Sequence, residues 1–196
     1  KSKKSGIITG KVLDIINKDE IQTVGKFSRP ISKLGVNIGI GEIDNGQYDY
    51  SKEYDYVDDV FWLVDNSVFK LVGGYDSLNF FFMCEELDFA HRVRKAGFKI
   101  YFTPSALIWH ERSQSFGGKA NPINNFYFQK NMIVFFRKNM SLSDIFLYLW
   151  NSFSSLPRLT IKLILNKEYN KLYLHYKGIM SGLIYDLKKG VPLLTR

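Results

Sequence analysis

A single cysteine, Cys84, stands in 196 residues, which excludes an intramolecular disulfide framework and a multi-cysteine zinc site. A reducing compartment is compatible with that count. Acidic residues are scarce after residue 116. Residues 117–196 hold 12 Lys and Arg against 3 Asp and Glu, whereas residues 1–116 hold 15 against 16. The net charge of +8 is therefore concentrated in the C-terminal part, where an anionic membrane surface or a nucleic acid would be attracted. No zinc-finger, RNA-recognition or helix-turn-helix signature accompanies the basic part, so nucleic acid is not the expected partner. Long apolar runs are also missing: the uncharged run from Ile145 to Pro157 has 13 residues, and a membrane-spanning helix needs about 20. Lys1–Lys4 lead into only a short apolar pair beside a glycine, so no signal-peptide pattern is read there. The first residue is Lys and not Met, and the chain is expected to be a piece of something longer.

What is present is enough apolar material for one ordinary domain, at 45% hydrophobic and 16% aromatic residues. Residues 6–16 read as a strand broken by Gly10, followed through Tyr56 by a long irregular connection with small strands. Val57–Val64 reads as a strand buried for most of its length, and Ser67–Val72 as a helical turn. Gly73, Gly74 and Asp76 then signal a turn. Phe80, Phe81 and Phe82 follow, and three carboxylates, Glu85, Glu86 and Asp88, fall within four residues. From Glu85 the pattern is helical, stopped by Gly97. Lys99–Phe102 reads as a short strand closed by Pro104, and a second apolar run from Ala106 to Trp109 ends on His110. After Gly117 and Gly118 the pattern becomes helical: Asn125–Asn139, a helix started by a capping box at Ser141 and Asp144 and interrupted by Pro157, and a last helix over Glu168–Leu187. The expectation is an α/β part over residues 1–116 and a helical, basic part over 117–196.

The clustered carboxylates have two readings. Acidic side chains in a first helical turn complement the helix dipole by a few tenths to about 1 kcal/mol. Alternatively, the Gly-Gly turn and three Phe residues lower the local dielectric, raise a carboxylate pKa and suit a general base. Glu86 is the first candidate for that base and Glu85 the second; Asp88 lies two positions on from Glu86 and faces elsewhere on the helix. His110 is either a hydrogen-bonded strand-end residue or one ligand of a hard divalent ion. It has no second His or Asp at ligand spacing nearby, so the other ligands would come from outside this chain. His91 and His175 read as structural or surface residues, and Cys84 as packing.

The stretch GGYD followed by FFFMCEELDFAHRVRKAGFKIYFTPSALIWH resembles the acceptor half of inverting glycosyltransferases of family 2, especially the rhamnosyltransferase-like branch. Gly73, Gly74, Tyr75, Asp76, Glu85, Asp88, Arg92, Ala96, Gly97, Pro104, Ala106 and His110 match that family's pattern in order and spacing. Weaker likeness covers GKVLD upstream and FYFQKN downstream. The resemblance implies the C-terminal portion of a GT-A mixed sheet and transfer of a single sugar from a nucleotide-sugar donor to a hydroxyl acceptor, lipid-linked glycan or cell-surface polysaccharide. It also implies Glu86 as base, Gly73, Gly74, Asp76, Asp88 and Trp62 as substrate contacts, and His110 on a Mg or Mn ion. The family's nucleotide-binding half and Asp-x-Asp motif are expected upstream of Lys1. This chain departs from the pattern where Glu86 replaces the Asp of the family's Glu-Asp pair, where Phe61 and Trp62 stand near an expected small Gly, and where Lys130 replaces an Arg. The processive enzymes' Gln-x-x-Arg-Trp signature is not seen. A non-catalytic binding or scaffolding domain derived from the same fold is the alternative.

Leu142, Ile145, Phe146, Leu149, Trp150, Phe153 and Leu156 form an apolar stripe at helical spacing. With the lysines that follow, it implies a cytoplasmic protein lying peripherally on the inner face of the cell membrane. The alternative is a stripe packed on the core or on a partner subunit.

Overall fold

The apolar run at the start of the chain becomes one ten-residue strand, β1 (Ser5–Asp14), and not two. The structure is a computed structural model that describes residues 4–29, 35–111 and 121–192. They divide into two units: 4–29, 35–75 and 86–111 make the first, and 76–85 with 121–192 the second.

In the first unit β1 lies at the centre of a five-stranded mixed sheet. It pairs in parallel with β7 (Lys99–His110) along one edge. Along the other it pairs antiparallel with β2 (Ile21–Thr23) and β6 (Trp62–Val64), and β5 (Lys52–Tyr54) pairs antiparallel with β7. A separate hairpin joins β3 (Gly25–Ser28) to β4 (Gly35–Ile38). Two helices complete the unit, α1 (Asn66–Val72) and α2 (Glu85–Lys95), of which Glu85 belongs to the second unit. Phe89, Ala90 and Val93 of α2 share a core with Ile7, Ile100 and Phe102 of the sheet. Full burial of such side chains contributes about 1.5–3 kcal/mol each for the larger ones.

Two features of this unit differ from the sequence reading. Pro104 does not close a strand, because β7 runs on to His110. Register slips where Thr9 pairs with Phe102 but Lys11 with Leu107, so Pro104 sits in an irregularity where no ladder hydrogen bond is asked of it. Gly10 opposes that bulge, and a Cβ there would run into the Ala106 carbonyl. Val57–Val64 is not a buried strand either: only Trp62–Val64 pairs, Asp59 and Val60 form a turn, and Leu63 is 70% exposed. Asp58, ahead of that turn, pairs with Lys26.

A buried lysine fixes the irregular connection. Lys11 Nζ holds Asp44 Oδ2 at 2.7 Å and Asp49 Oδ1 at 2.8 Å. Burial alone would lower its pKa, but the hydrogen bonds and charges of the two carboxylates outweigh it and the net shift is upward.

The second unit is built on α3 (Pro122–Asn139), α4 (Leu142–Leu165) and α5 (Tyr169–Leu183), with a short hairpin of β8 (Tyr185–Asp186) and β9 (Val191–Pro192). Six consecutive residues of α3, Asn131–Phe136, are buried, as expected of a central helix apolar on more than one face. Gly178 and Gly182 let α5 approach α3: added Cβ atoms would stand 2.6 Å from the Phe126 carbonyl oxygen and 2.8 Å from that of Lys130. Ser141 caps α4 by accepting from the Asp144 amide, as its sequence predicts. Pro157 does not interrupt that helix, which keeps 24 residues; one lost backbone bond is outweighed by the turns on either side. α5 stops at Leu183, short of the expected Leu187, since Tyr185 turns inward and its hydroxyl donates to Leu78 O at 3.3 Å. The expected boundary at residues 116/117, with Gly117 and Gly118, lies outside the described residues. Among the described residues no helix is long and apolar enough to cross a membrane.

Candidate functional site

Gly73 ends α1 with φ of 72°, a left-handed value that favours glycine, and its amide donates to Phe69 O at 3.0 Å. The turn it begins is held from α2. Arg92 donates from Nη1 to Val72 O (2.6 Å) and from Nη2 to Gly74 O (2.8 Å), while its Nε donates to Asp88 Oδ2 at 2.7 Å. Asp88 is fully buried. Of the three clustered carboxylates it is thus the one spent on orienting a guanidinium, four residues along the helix. Gly73, Gly74 and Asp88 come together through Arg92, a residue the sequence reading did not single out as functional. Glu86 is half-buried in the first turn of α2.

Trp62 lies in β6, stacked on Phe89 at 5.8 Å between ring centroids and tilted against Tyr75 at 6.4 Å. With Val64, Phe69, Tyr75 and Phe89 it lines an apolar recess of ≈ 60 Å³. Tyr75 is anchored at its far end by donating to Asp59 Oδ2 at 3.0 Å.

At the end of β7, His110 pairs in register with Asp14 of β1. Gln22 Nε2 donates to Asp14 Oδ2 (3.1 Å) and to the His110 carbonyl (2.5 Å), both acceptors only, so its Oε1 must face the ring. That oxygen lies 2.9 Å from His110 Nδ1. The ring therefore donates through Nδ1, and in the neutral imidazole the lone pair resides on Nε2. An outer hydrogen bond of this kind is what orients a metal-ligating histidine. One imidazole fits such an ion but does not hold it alone, and among the described residues no group of three His, Cys, Asp or Glu is placed to do so.

In the second unit Asp76 accepts from Asn79 Nδ2 (2.7 Å) and from Lys138 Nζ (2.8 Å). Burial pushes its pKa upward, but these two donors prevail and hold it below the usual carboxylate range. The three Phe residues do not form one apolar wall: Phe80 is buried, Phe81 is 77% exposed, and Phe82 packs edge-on against Tyr127. Just ahead of Glu85, Met83 and Cys84 both take left-handed backbone angles, φ 65° and 69°. Such angles cost a non-glycine residue roughly 1–2 kcal/mol. The fully buried Asn131 of α3 holds this reversal by donating from Nδ2 to Phe82 O (2.7 Å) and Met83 O (2.9 Å). Asn131 ends the FYFQKN segment, but its hydrogen-bonding partners lie 48 and 49 positions away, beyond the reach of any local pattern. Cys84 is buried, in keeping with the packing role expected of it; of the two readings open for His175, structural or surface, its burial selects the first, and burial lowers its pKa.

The chain matches no protein-family model, and no curated protein is significantly similar to it.

Proposed function

We propose that this chain is the acceptor-side part of a GT-A-fold inverting glycosyltransferase. The observation that carries the reading is the placement of the family-like residues. The Gly-Gly turn is clamped by Arg92 and Asp88, Glu86 stands in the first turn of α2, and β7 ends on a histidine whose Nε2 bears the lone pair.

In this reading Glu86 takes the proton of an acceptor hydroxyl as its oxygen attacks the anomeric carbon of a nucleotide sugar. The bond from that carbon to the diphosphate breaks on the opposite face, which inverts the centre and releases the nucleoside diphosphate. Positioned general bases contribute about 10²- to 10⁴-fold to such a step. A Mg or Mn ion would supply charge neutralisation for the departing diphosphate, with His110 as one ligand and the remaining ligands from the nucleotide and from protein outside the described residues. Gly73, Gly74 and Trp62 would border the acceptor, Asp88 acting through Arg92. The acceptor is proposed to be a lipid-linked glycan or a cell-surface polysaccharide, met at the cytoplasmic face of the membrane. A non-catalytic binding domain is the second reading; Glu86 in place of the family's Asp favours it.

The two readings separate in one screen. The full-length protein is incubated with a panel of nucleotide sugars, with and without Mg or Mn, and release of free nucleotide is measured. Metal-dependent release from one donor supports the transferase. Silence across the panel in the presence of glycan and lipid-linked acceptors supports the binding domain.

A further inference from the structure

α4 carries two apolar faces, and among the described residues only one of them is packed. Tyr148 and Leu163 are buried, and Ile145, Leu149 and Leu156 lie half-buried on the same side; Tyr148 stacks on Phe136 with ring centroids 4.2 Å apart. The opposite side presents Leu142, Phe146, Trp150, Phe153, Ile161 and Ile164, all exposed, with exposed Pro157 in the same row. Successive steps along that row are three or four residues, so it forms a continuous stripe of roughly 33 Å at 1.5 Å per residue. The apolar series read from sequence as one stripe is therefore two, and the outward one is longer. α5 adds a parallel row: Tyr169, Tyr173, Tyr176 and Met180 are exposed at steps of four, three and four. A hydrogen bond between Thr160 Oγ1 and the Tyr176 hydroxyl, 2.7 Å, ties the two helices on this side.

We propose that the outward face of α4 and α5 is a docking surface for an anionic phospholipid membrane, lying in the plane of the interface. Its charge selects that occupant. Between Leu142 and Leu183 there are five Lys and Arg and two Asp and Glu. Arg158, Lys162, Lys167 and Lys177 are exposed, whereas Glu168 is engaged by Lys171 at 2.9 Å. Helix pairing between protein chains usually sets branched aliphatics along the seam and charges of both signs beside it. Here the rows are rich in Trp, Phe and Tyr, and beside the α4 row stand Ser143, Asn151, Ser154, Arg158 and Thr160 with no carboxylate among them, the composition of an interfacial helix. Lysine stems extend along apolar surface and deliver their charge at headgroup depth. The proposal stands on this surface alone and is independent of the chemistry assigned to Glu86.

The test is co-sedimentation with vesicles of phosphatidylcholine, with or without phosphatidylglycerol. Binding to the anionic vesicles is expected to exceed binding to neutral ones by about tenfold or more at low salt. It should then fall as salt shortens the Debye length from about 10 Å at 0.1 M to 3 Å at 1 M. Phe146→Ser with Trp150→Ser, both at exposed positions, should abolish binding while leaving the helical circular dichroism unchanged; Arg158→Glu with Lys162→Glu should abolish its preference for anionic lipid. Absence of binding at low salt overturns the proposal. So does binding that survives both pairs of substitutions, or a concentration-dependent dimer that Phe146→Ser with Trp150→Ser dissolves, which would assign the face to a second copy of the chain.

Discussion

Asn131→Ala is expected to release the reversed loop ahead of α2. Its amide makes two hydrogen bonds, at 2.7 and 2.9 Å, to the carbonyls of Phe82 and Met83, and it is fully buried. A neutral hydrogen bond contributes about 0.5–1.5 kcal/mol net, and a buried carbonyl stripped of its donor costs about 1–3 kcal/mol. Partial access of water to the loop places the total at about 2–4 kcal/mol. Asn131→Asp preserves the shape but turns an oxygen toward two carbonyl oxygens, so it should cost at least as much at pH 7. It should recover part of that loss at low pH, where a protonated carboxyl regains one donor. Met83→Gly is the control of opposite sign: a left-handed residue loses its steric penalty, so the substitution should be neutral or stabilising by up to about 1 kcal/mol. Urea midpoints followed by helical circular dichroism give the energies, and amide exchange of residues 82–85 locates them. A loss below about 0.5 kcal/mol in Asn131→Ala, with exchange unchanged, would show that the clamp does not hold the loop.

Gly178→Ala should destabilise the helical unit by about 1–3 kcal/mol, because the new methyl meets the Phe126 carbonyl oxygen at 2.6 Å; a thermal melt reads this, and an unchanged midpoint contradicts the packing. Alkaline stability should decline above about pH 10. The Lys11 pKa is raised over its ordinary 10.5 by Asp44 and Asp49, and burial, helped by Tyr50 and Tyr48, pushes Tyr54 up to about 12. Both contributions are complete below the unfolded values and are lost as pH rises through the folded ones. Lys11→Met should therefore be less stable than wild type at pH 8, on the order of 2 kcal/mol, and should show a shallower alkaline limb in urea midpoints; parallel limbs would contradict the assignment. Gln22→Leu removes the acceptor that faces His110 Nδ1, so nitrogen chemical shifts of that ring should move from one dominant tautomer toward a mixture. Shifts identical to wild type would mean that Gln22 does not set the tautomer.

Local signals in the sequence were strong where the chain's own backbone decides the outcome. Gly97 ends α2 with φ of 93°, Ser141 caps α4, and the helical spacing from Glu85 holds over eleven residues. Tertiary context decided the rest. Pro104 looks like a terminator until the bulge opposite Gly10 gives it a place without a ladder bond. VDDVFWLV has strand-like composition, yet the turn at Asp59 and Val60 leaves three residues to pair. The acidic cluster was legible as a cluster, but its division of labour was not. Spacing indicated that Asp88 turns away from Glu86; only the fold reveals that Arg92 spends it on the Gly73–Gly74 turn. Gln22 lies 88 positions from His110, and no spacing rule connects them. The apolar residues of α4 likewise obey helical periodicity on both faces at once, so sequence alone could not separate the inward row from the outward one.

Glu86→Gln is the most direct measurement of the proposed chemistry. In the full-length protein, with a donor identified by nucleotide release and the divalent ion present, the substitution removes the proton acceptor while keeping size and hydrogen-bonding shape. The account predicts that transfer to the acceptor falls by about 10²- to 10⁴-fold, with donor affinity in calorimetry within about twofold of wild type. Transfer at the wild-type rate, with the variant folded and donor-bound, would contradict the assignment of Glu86 as the base.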